Sequence, residues 1–127
     1  MRPRINTPHR LTCHCGAVEL AVTLAQGLAT AHRCDCTFCR RRGAIIAAVP
    51  LGNLQVVKGA DHLTLYQWGT NTAKHYFCAI CGIYTHHQRR SNPNEYGINV
   101  ACLEGVNPRD LGNVAWSDGV NHPSDQQ

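Results

Sequence analysis

The chain has 127 residues, a length that fits one domain and leaves no room for a second core. Hydrophobic residues make up 43% of the chain but aromatic residues only 6%, so the core contains few large rings and needs a further source of stability. The formal charge is +4, and the only notable basic runs are residues 40–42 and 89–90. Runs this short are typical of a solvated surface, so we expect no nucleic-acid partner.

The first ten residues are polar and contain two prolines, which does not match the apolar core of a secretory signal. No apolar stretch reaches the length of a membrane span. We therefore expect a cytoplasmic protein with no membrane partner. In that compartment clustered cysteines more often bind metals than form disulfides.

Short strands with turn residues between them account for most of the chain. In residues 17–24 the alternate positions Val18, Leu20, Val22 and Leu24 are apolar, which is the period of a half-buried strand. No segment has a helical period of useful length, so the pattern predicts a mainly β domain of short antiparallel strands over 11–106. We expect an N-terminal arm at 1–10 and a loosely held C-terminal tail at 107–127, from which Leu111 and Trp116 pack on the domain. The predicted strands are AVELAVTL (17–24), AIIAAV (44–49), LQVVK (54–58), HLTLYQW (62–68), AKHYFC (73–78), IYTHH (83–87) and YGINVAC (96–102).

Seven of the eight cysteines form three clusters. They read C-x-C at 13–15, C-x-C-x-x-C at 34–39 and C-x-x-C-G at 78–82. Closely spaced pairs let two sulfurs reach one ion from a tight turn, and Gly82 suits a turn that requires a positive φ. The eighth cysteine, Cys102, stands on an apolar strand face, where we expect a small buried residue and not a ligand.

The clusters divide naturally into a closed metal site and an open one. A closed structural zinc site needs four ligands, which two cysteine pairs supply, whereas three sulfurs leave one coordination position for chemistry. This division predicts a structural zinc at Cys13, Cys15, Cys78 and Cys81, and a second, labile zinc at Cys34, Cys36 and Cys39, the candidate catalytic residues. With two zinc ions and seven thiolates, the formal charge falls to about +1.

Spacing alone does not fix this division, and other interpretations stay open. Iron also suits a four-sulfur tetrahedral site. A redox role for Cys78 and Cys81 is disfavoured because the sequence lacks the βαβ pattern of thioredoxin-like proteins. Disulfides are disfavoured because the sequence shows no secretion signal.

The order and content of these clusters resemble the family of glutathione-dependent formaldehyde-activating enzymes and its relative, centromere protein V. The resemblance extends over roughly residues 11–105. The long basic extension of centromere protein V is absent from this sequence, so its chromatin association is not expected here. The matching segments are TCHCGAVEL (12–20), CDCTFCRRRGA (34–44), Tyr66-x-Trp68-Gly69, HYFCAICGIYTHH (75–87) and RSNPNEYGINVACL (90–103).

The resemblance implies a mainly β, Mss4-like fold, a small sandwich of short antiparallel strands around zinc knuckles. It assigns the structural zinc to the four sulfurs at 13, 15, 78 and 81, and the catalytic zinc to the three sulfurs at 34, 36 and 39. The implied activity is that of a carbon–sulfur lyase, which condenses glutathione with formaldehyde to S-hydroxymethylglutathione. The alternative hypothesis is a non-catalytic zinc-binding interaction module of the same fold.

Further residues near the clusters are candidates for supporting roles. The arginines at 40–42 follow the triplet and are the nearest cations for an anionic thiol such as glutathione. His86 and His87 point to opposite faces of their strand, so at most one of them faces a given site. The remaining candidates for proton transfer or ligation are His14, His32 and His75.

Overall fold

The structure is a computed structural model that describes residues 8–24 and 27–118. A three-stranded sheet consists, in spatial order, of β1 (Pro8–Thr12), β2 (Glu19–Thr23) and β5 (Leu54–Lys58). A seven-stranded sheet consists, in spatial order, of β10 (Ala115–Ser117), β3 (His32–Cys34), β4 (Ile46–Pro50), β9 (Glu95–Asn99), β8 (Tyr84–Gln88), β7 (Lys74–Cys78) and β6 (Leu63–Tyr66). The described residues also form α1 (Thr37–Arg42) and short 3₁₀ helices at Leu51–Asn53, Ala60–His62, Val100–Cys102 and Pro108–Leu111.

One apolar core lies between the two sheets. The predicted alternation over residues 17–24 is confirmed, because its four apolar side chains are at most 1% exposed. Leu20 and Val22 of β2 belong to the same buried cluster as Val49 of β4 and Ile98 of β9. The sheets therefore pack face to face as a sandwich, and the predicted mainly β fold is confirmed.

Several elements differ from those expected from the sequence. The strands β1, β3 and β10 and the helix α1 were missed. β3 and β10 have three residues and α1 has six, which is too few to show a strand or helix period, and β1 has a single aliphatic residue, Leu11. β10 pairs with β3 in parallel, which departs from the expected all-antiparallel pattern. The strand predicted through Cys102 ends at Asn99, because the Asn99 side chain accepts a hydrogen bond from the Ala101 N–H at 3.2 Å and begins a 3₁₀ turn.

Both expected flanking segments contribute to the sheets. Residues 8–10 lie in β1, and residues 115–117 form β10. Leu111 packs against the core as expected. Trp116 does not, because 62% of its surface is exposed. The outer parts of the expected arm and tail, 1–7 and 119–127, lie outside the described residues, so the domain boundaries at 10 and 106 stay predictions.

Within 8–24 and 27–118, no helix has the length and apolar character needed to cross a bilayer.

Candidate metal centres

Two loops at one end of the sandwich bring four cysteine sulfurs together. Cys13 and Cys15 lie between β1 and β2, and Cys78 and Cys81 lie where β7 ends. The four Sγ atoms are all within 4.8 Å of one another. The site therefore joins segments that are more than sixty residues apart, one from each sheet.

Backbone hydrogen bonds hold these sulfurs in place. The Val18 N–H donates to Cys13 Sγ at 3.4 Å, and the Ile80 N–H donates to Cys78 Sγ at the same distance. Gly82 has a φ of 79°, so the sequence-based expectation of a positive φ after the second cysteine is confirmed. Each loop thus forms a tight turn that presents its sulfurs to a common point.

The spacing of the sulfurs fits a tetrahedral metal site. Zinc–sulfur bonds of about 2.3 Å in a tetrahedron place neighbouring sulfurs about 3.8 Å apart. The structure places Cys13 Sγ 3.6 Å from Cys15 Sγ, and Cys15 Sγ 3.7 Å from Cys78 Sγ. A backbone hydrogen bond from Cys15 lowers the pKa of Cys81 to about 6, which favours the thiolate form that binds metals.

The second cluster is built where β3 leads into α1. Cys34 is the last residue of β3, Cys36 caps the helix and Cys39 lies in its first turns. The Cys36 sulfur accepts a hydrogen bond from the Cys39 N–H at 3.2 Å. The sulfur thus takes the place of the side-chain oxygen that usually caps a helix N-terminus. At the other end Gly43, with a φ of 72°, donates its N–H to the Cys39 carbonyl at 2.9 Å. The helix ends after six residues because Gly43 takes the left-handed conformation.

These three sulfurs also form a compact group. Their Sγ atoms lie within 4.8 Å of one another, and among the described residues the group has three ligands where the first cluster has four. A hydrogen bond from Cys39 lowers the pKa of Cys34 to about 5 and raises that of Cys39. The spacing of the three sulfurs lets the cluster hold a metal ion and leaves a fourth position for another ligand.

A half-buried arginine links this cluster to the seven-stranded sheet. Arg42 Nη2 donates to Cys39 Sγ at 3.5 Å, and Nη1 donates to His75 Nδ1 at 3.0 Å. Its guanidinium carbon lies 3.6 Å from the ring centroid of Tyr84 and 4.7 Å from that of Phe38. Sequence reasoning named Arg42 only as part of a basic run and could not distinguish it from its exposed neighbours.

Buried rings continue from Arg42 into the sheet. The rings of His75 and His87 stack at a centroid distance of 4.7 Å, and Tyr84 Oη lies 2.6 Å from His87 Nδ1. Burial lowers the pKa of His75 to about 3 and that of His87 well below its usual value. Burial also raises the pKa of Tyr84. All three side chains are thus uncharged at neutral pH.

An open cleft lies beside α1. It has a volume of about 380 Å³ and is lined by Thr37, Phe38, Arg41, Tyr66 and Trp68. Tyr66 and Trp68 are 46% and 43% exposed, and Phe38 lies against both of them at centroid distances of 5.6 and 4.7 Å. Three of the lining residues belong to α1, the helix that also carries Cys39.

The other predicted candidates lie outside the two clusters. His86 stacks on Tyr76 on the opposite face from His87, as the alternation predicted. His14 is exposed in its loop, and His32 Nδ1 lies 2.8 Å from the Thr30 carbonyl oxygen. Cys102 is in neither cluster.

The environment of Cys102 agrees with the expected structural role. Its thiol donates to the Tyr84 carbonyl oxygen at 3.6 Å, and burial raises the pKa of Cys102 to about 11.

Solved and curated relatives are similar to most of this chain. A crystal structure of a Rhodobacter sphaeroides protein, a structural genomics target, is 70% identical and superposes with a TM-score of 0.83. The match covers 85% of this chain and 99% of that one.

Two fungal relatives, from Fusarium vanettenii and Penicillium rubens, are each named "Putative glutathione-dependent formaldehyde-activating enzyme". They are 32% and 29% identical over 79 residues, which is 59% of this chain and 42% and 41% of theirs. The chain thus spans about two fifths of the length of the curated relatives it matches. The model of the family described as glutathione-dependent formaldehyde-activating enzyme matches residues 8–115. The chain therefore belongs to the family of glutathione-dependent formaldehyde-activating enzymes.

Proposed function

We propose that this chain binds two zinc ions and uses the second to join a small thiol, glutathione in the first instance, to formaldehyde or a related aldehyde. The observation that carries the proposal is the contrast between the clusters. Four sulfurs converge between two sheets in the first, and only three converge in the second, at the helix α1, three of whose residues line an open cleft. Closed sites serve structure, and open sites admit a reactant. The unpaired state of all eight cysteines supports a cytoplasmic location.

In the proposed reaction, a bond forms between the thiol sulfur and the aldehyde carbon. The sulfur loses its proton, and the carbonyl oxygen gains one, so the product is a hemithioacetal and no oxidant or reductant is needed. A zinc ion held by Cys34, Cys36 and Cys39 would supply a site at which a thiol binds as the nucleophilic thiolate. The protein's own part is to hold the reactants near these three sulfurs.

We assign the cleft to the rest of the thiol substrate. Glutathione carries two carboxylates, and the lining offers the Arg41 guanidinium and the Thr37 hydroxyl as donors. The half-exposed rings of Tyr66 and Trp68 provide an apolar floor for the peptide backbone of such a ligand. Burial keeps His75 and His87 neutral, so they do not add positive charge for the carboxylates.

Metal analysis together with exchange kinetics tests this function. We expect two zinc ions per chain, and a cobalt-substituted protein whose spectrum changes when glutathione is added. Magnetisation-transfer NMR on glutathione and formaldehyde measures the rate of adduct formation at equilibrium, which should rise with the enzyme and return to the uncatalysed rate with Cys36→Ser.

Cys102→Ser is the matched control, because Cys102 belongs to neither cluster, and it should retain the rate enhancement. One tightly held metal ion with no response to glutathione would refute the enzyme and favour a binding module.

A further inference from the structure

The guanidinium of Arg42 is a half-buried charge that lacks a carboxylate partner among the described residues. None of the ion pairs among residues 8–24 and 27–118 involves Arg42. Its Nε is fully buried and has no hydrogen-bond acceptor within the same residues. Buried charges in folded proteins are normally paired with an opposite charge, because transfer out of water is costly. We therefore expect an anion close to the Arg42 guanidinium.

The nearest group that can carry negative charge is a sulfur of the three-cysteine cluster. Nη2 of Arg42 lies 3.5 Å from Cys39 Sγ, within hydrogen-bond range for sulfur. Three thiolates on one divalent ion leave a net charge of −1 at that site, which a neighbouring cation stabilises. The charge of the arginine and the charge of the occupied cluster are thus complementary.

The surroundings of Arg42 fix its orientation toward the sulfur. The guanidinium carbon lies 3.6 Å from the ring centroid of Tyr84 and 4.7 Å from that of Phe38, and these two cation–π contacts restrict the rotation of the side chain. His75 accepts the second hydrogen bond through Nδ1, which it can do only as the neutral ring, with its proton on Nε2. His75 is in turn held by its stack on His87. The charge is positioned before any ligand arrives.

We infer that Arg42 is a positioning residue for the second metal site: its guanidinium, held by the ring stack, donates to Cys39 Sγ and strengthens metal binding by the three-cysteine cluster. The inference rests on the proposed function in so far as that cluster holds a metal ion. It assigns Arg42 a different task from Arg41, which faces the cleft, and from the exposed Arg40. The three consecutive arginines therefore do not form one basic patch.

Zinc competition on the full chain measures this role directly. Each protein is loaded with zinc alone and titrated with a chromogenic chelator, which removes the more weakly held ion first. In Arg42→Met, which keeps an unbranched apolar stem but removes the charge, the second zinc should bind roughly tenfold to a hundredfold more weakly, as expected for loss of a charge-assisted hydrogen bond. Arg42→Lys should recover part of the affinity, and Arg40→Met should match the wild type.

The four-sulfur site of the same chain reports whether a variant has simply misfolded. Its zinc should be retained in every variant, and the thiolate-to-cobalt absorption of the second site should shift only when Arg42 is changed. Equal affinity in Arg42→Met and wild type overturns the inference. Equal loss in Arg42→Met and Arg42→Lys also overturns it, because packing and not charge would then be responsible. If Arg42→Met binds the second zinc more weakly but the wild-type protein shows no catalysis, the proposed function is refuted and the role of Arg42 stands.

Discussion

The division of the cysteines predicts opposite outcomes for two chemically identical substitutions. Cys78→Ser removes a sulfur that is fully buried and lies 3.7 Å from Cys15 Sγ, between the two sheets. Structural zinc contributes roughly 10–16 kcal/mol to small metal-binding folds, so one of four sulfurs accounts for about 2.5–4 kcal/mol. Burying an unsatisfied hydroxyl adds about 1–3 kcal/mol. The total, about 3.5–7 kcal/mol, is a large part of the roughly 5–15 kcal/mol by which a typical domain is stable.

Cys36→Ser should instead leave the fold almost unchanged. The Cys36 sulfur caps α1 by accepting from the Cys39 N–H, and serine is among the best residues at that position, so the helix cap is kept. We expect a cost below about 1 kcal/mol, together with loss of the second metal ion.

Urea unfolding followed by circular dichroism, with metal content by mass spectrometry, compares the two variants with wild type. Cys78→Ser should lose most of its cooperative transition, and Cys36→Ser should unfold at nearly the wild-type urea concentration with one metal ion bound. If Cys36→Ser unfolds as readily as Cys78→Ser, the separation into a structural and a reactive cluster is wrong.

Three further predictions address the backbone, the histidines and the cleft. Gly59→Ala should destabilise the protein by at least about 2 kcal/mol in urea unfolding, because Gly59 has a φ of 85° and a Cβ there would lie 2.0 Å from the Ala17 carbonyl oxygen. Gly69→Ala, at a φ of 62° with open space around it, should cost only about 1 kcal/mol. Burial lowers the pKa of His86 to about 4, so its neutral form stabilises the fold above its unfolded value of 6.5, and this stability is lost as the pH falls toward 4. As the pH falls from 6.5 to 4, the free energy of unfolding of the wild type should therefore decrease relative to that of His86→Gln by up to about 1.4 kcal/mol per pH unit. A difference between the two proteins that does not change with pH would exclude the effect. Trp68→Ala should raise the KM for glutathione severalfold with little change in kcat, whereas Leu65→Ala, at an exposed position of the preceding strand β6, should not. Equal effects of the two substitutions would remove the cleft from the substrate site.

Local chemistry explains why much of the site could be predicted from the sequence. Two cysteines in a C-x-C or C-x-x-C turn lie close enough to bind one metal ion, so the three clusters could be predicted from the sequence. The positive φ at Gly82 could be predicted in the same way. The alternation of residues 17–24 likewise fixes which side chains enter a core. Short elements such as α1 carry no such signal, and their existence depends on caps from neighbouring residues.

Strand alternation and ligand spacing are properties of neighbouring residues, so a mainly β chain with three cysteine clusters could be predicted from the sequence. Spacing did not fix which clusters meet, because Cys15 and Cys78 are brought together by the packing of strands far apart in the chain. The same holds for Arg42, which looks like its two neighbours in the sequence. Its contacts with Cys39, His75 and Tyr84 arise because α1 packs on β7 and β8, and the long-range contacts that produce this packing have no periodic trace in the sequence.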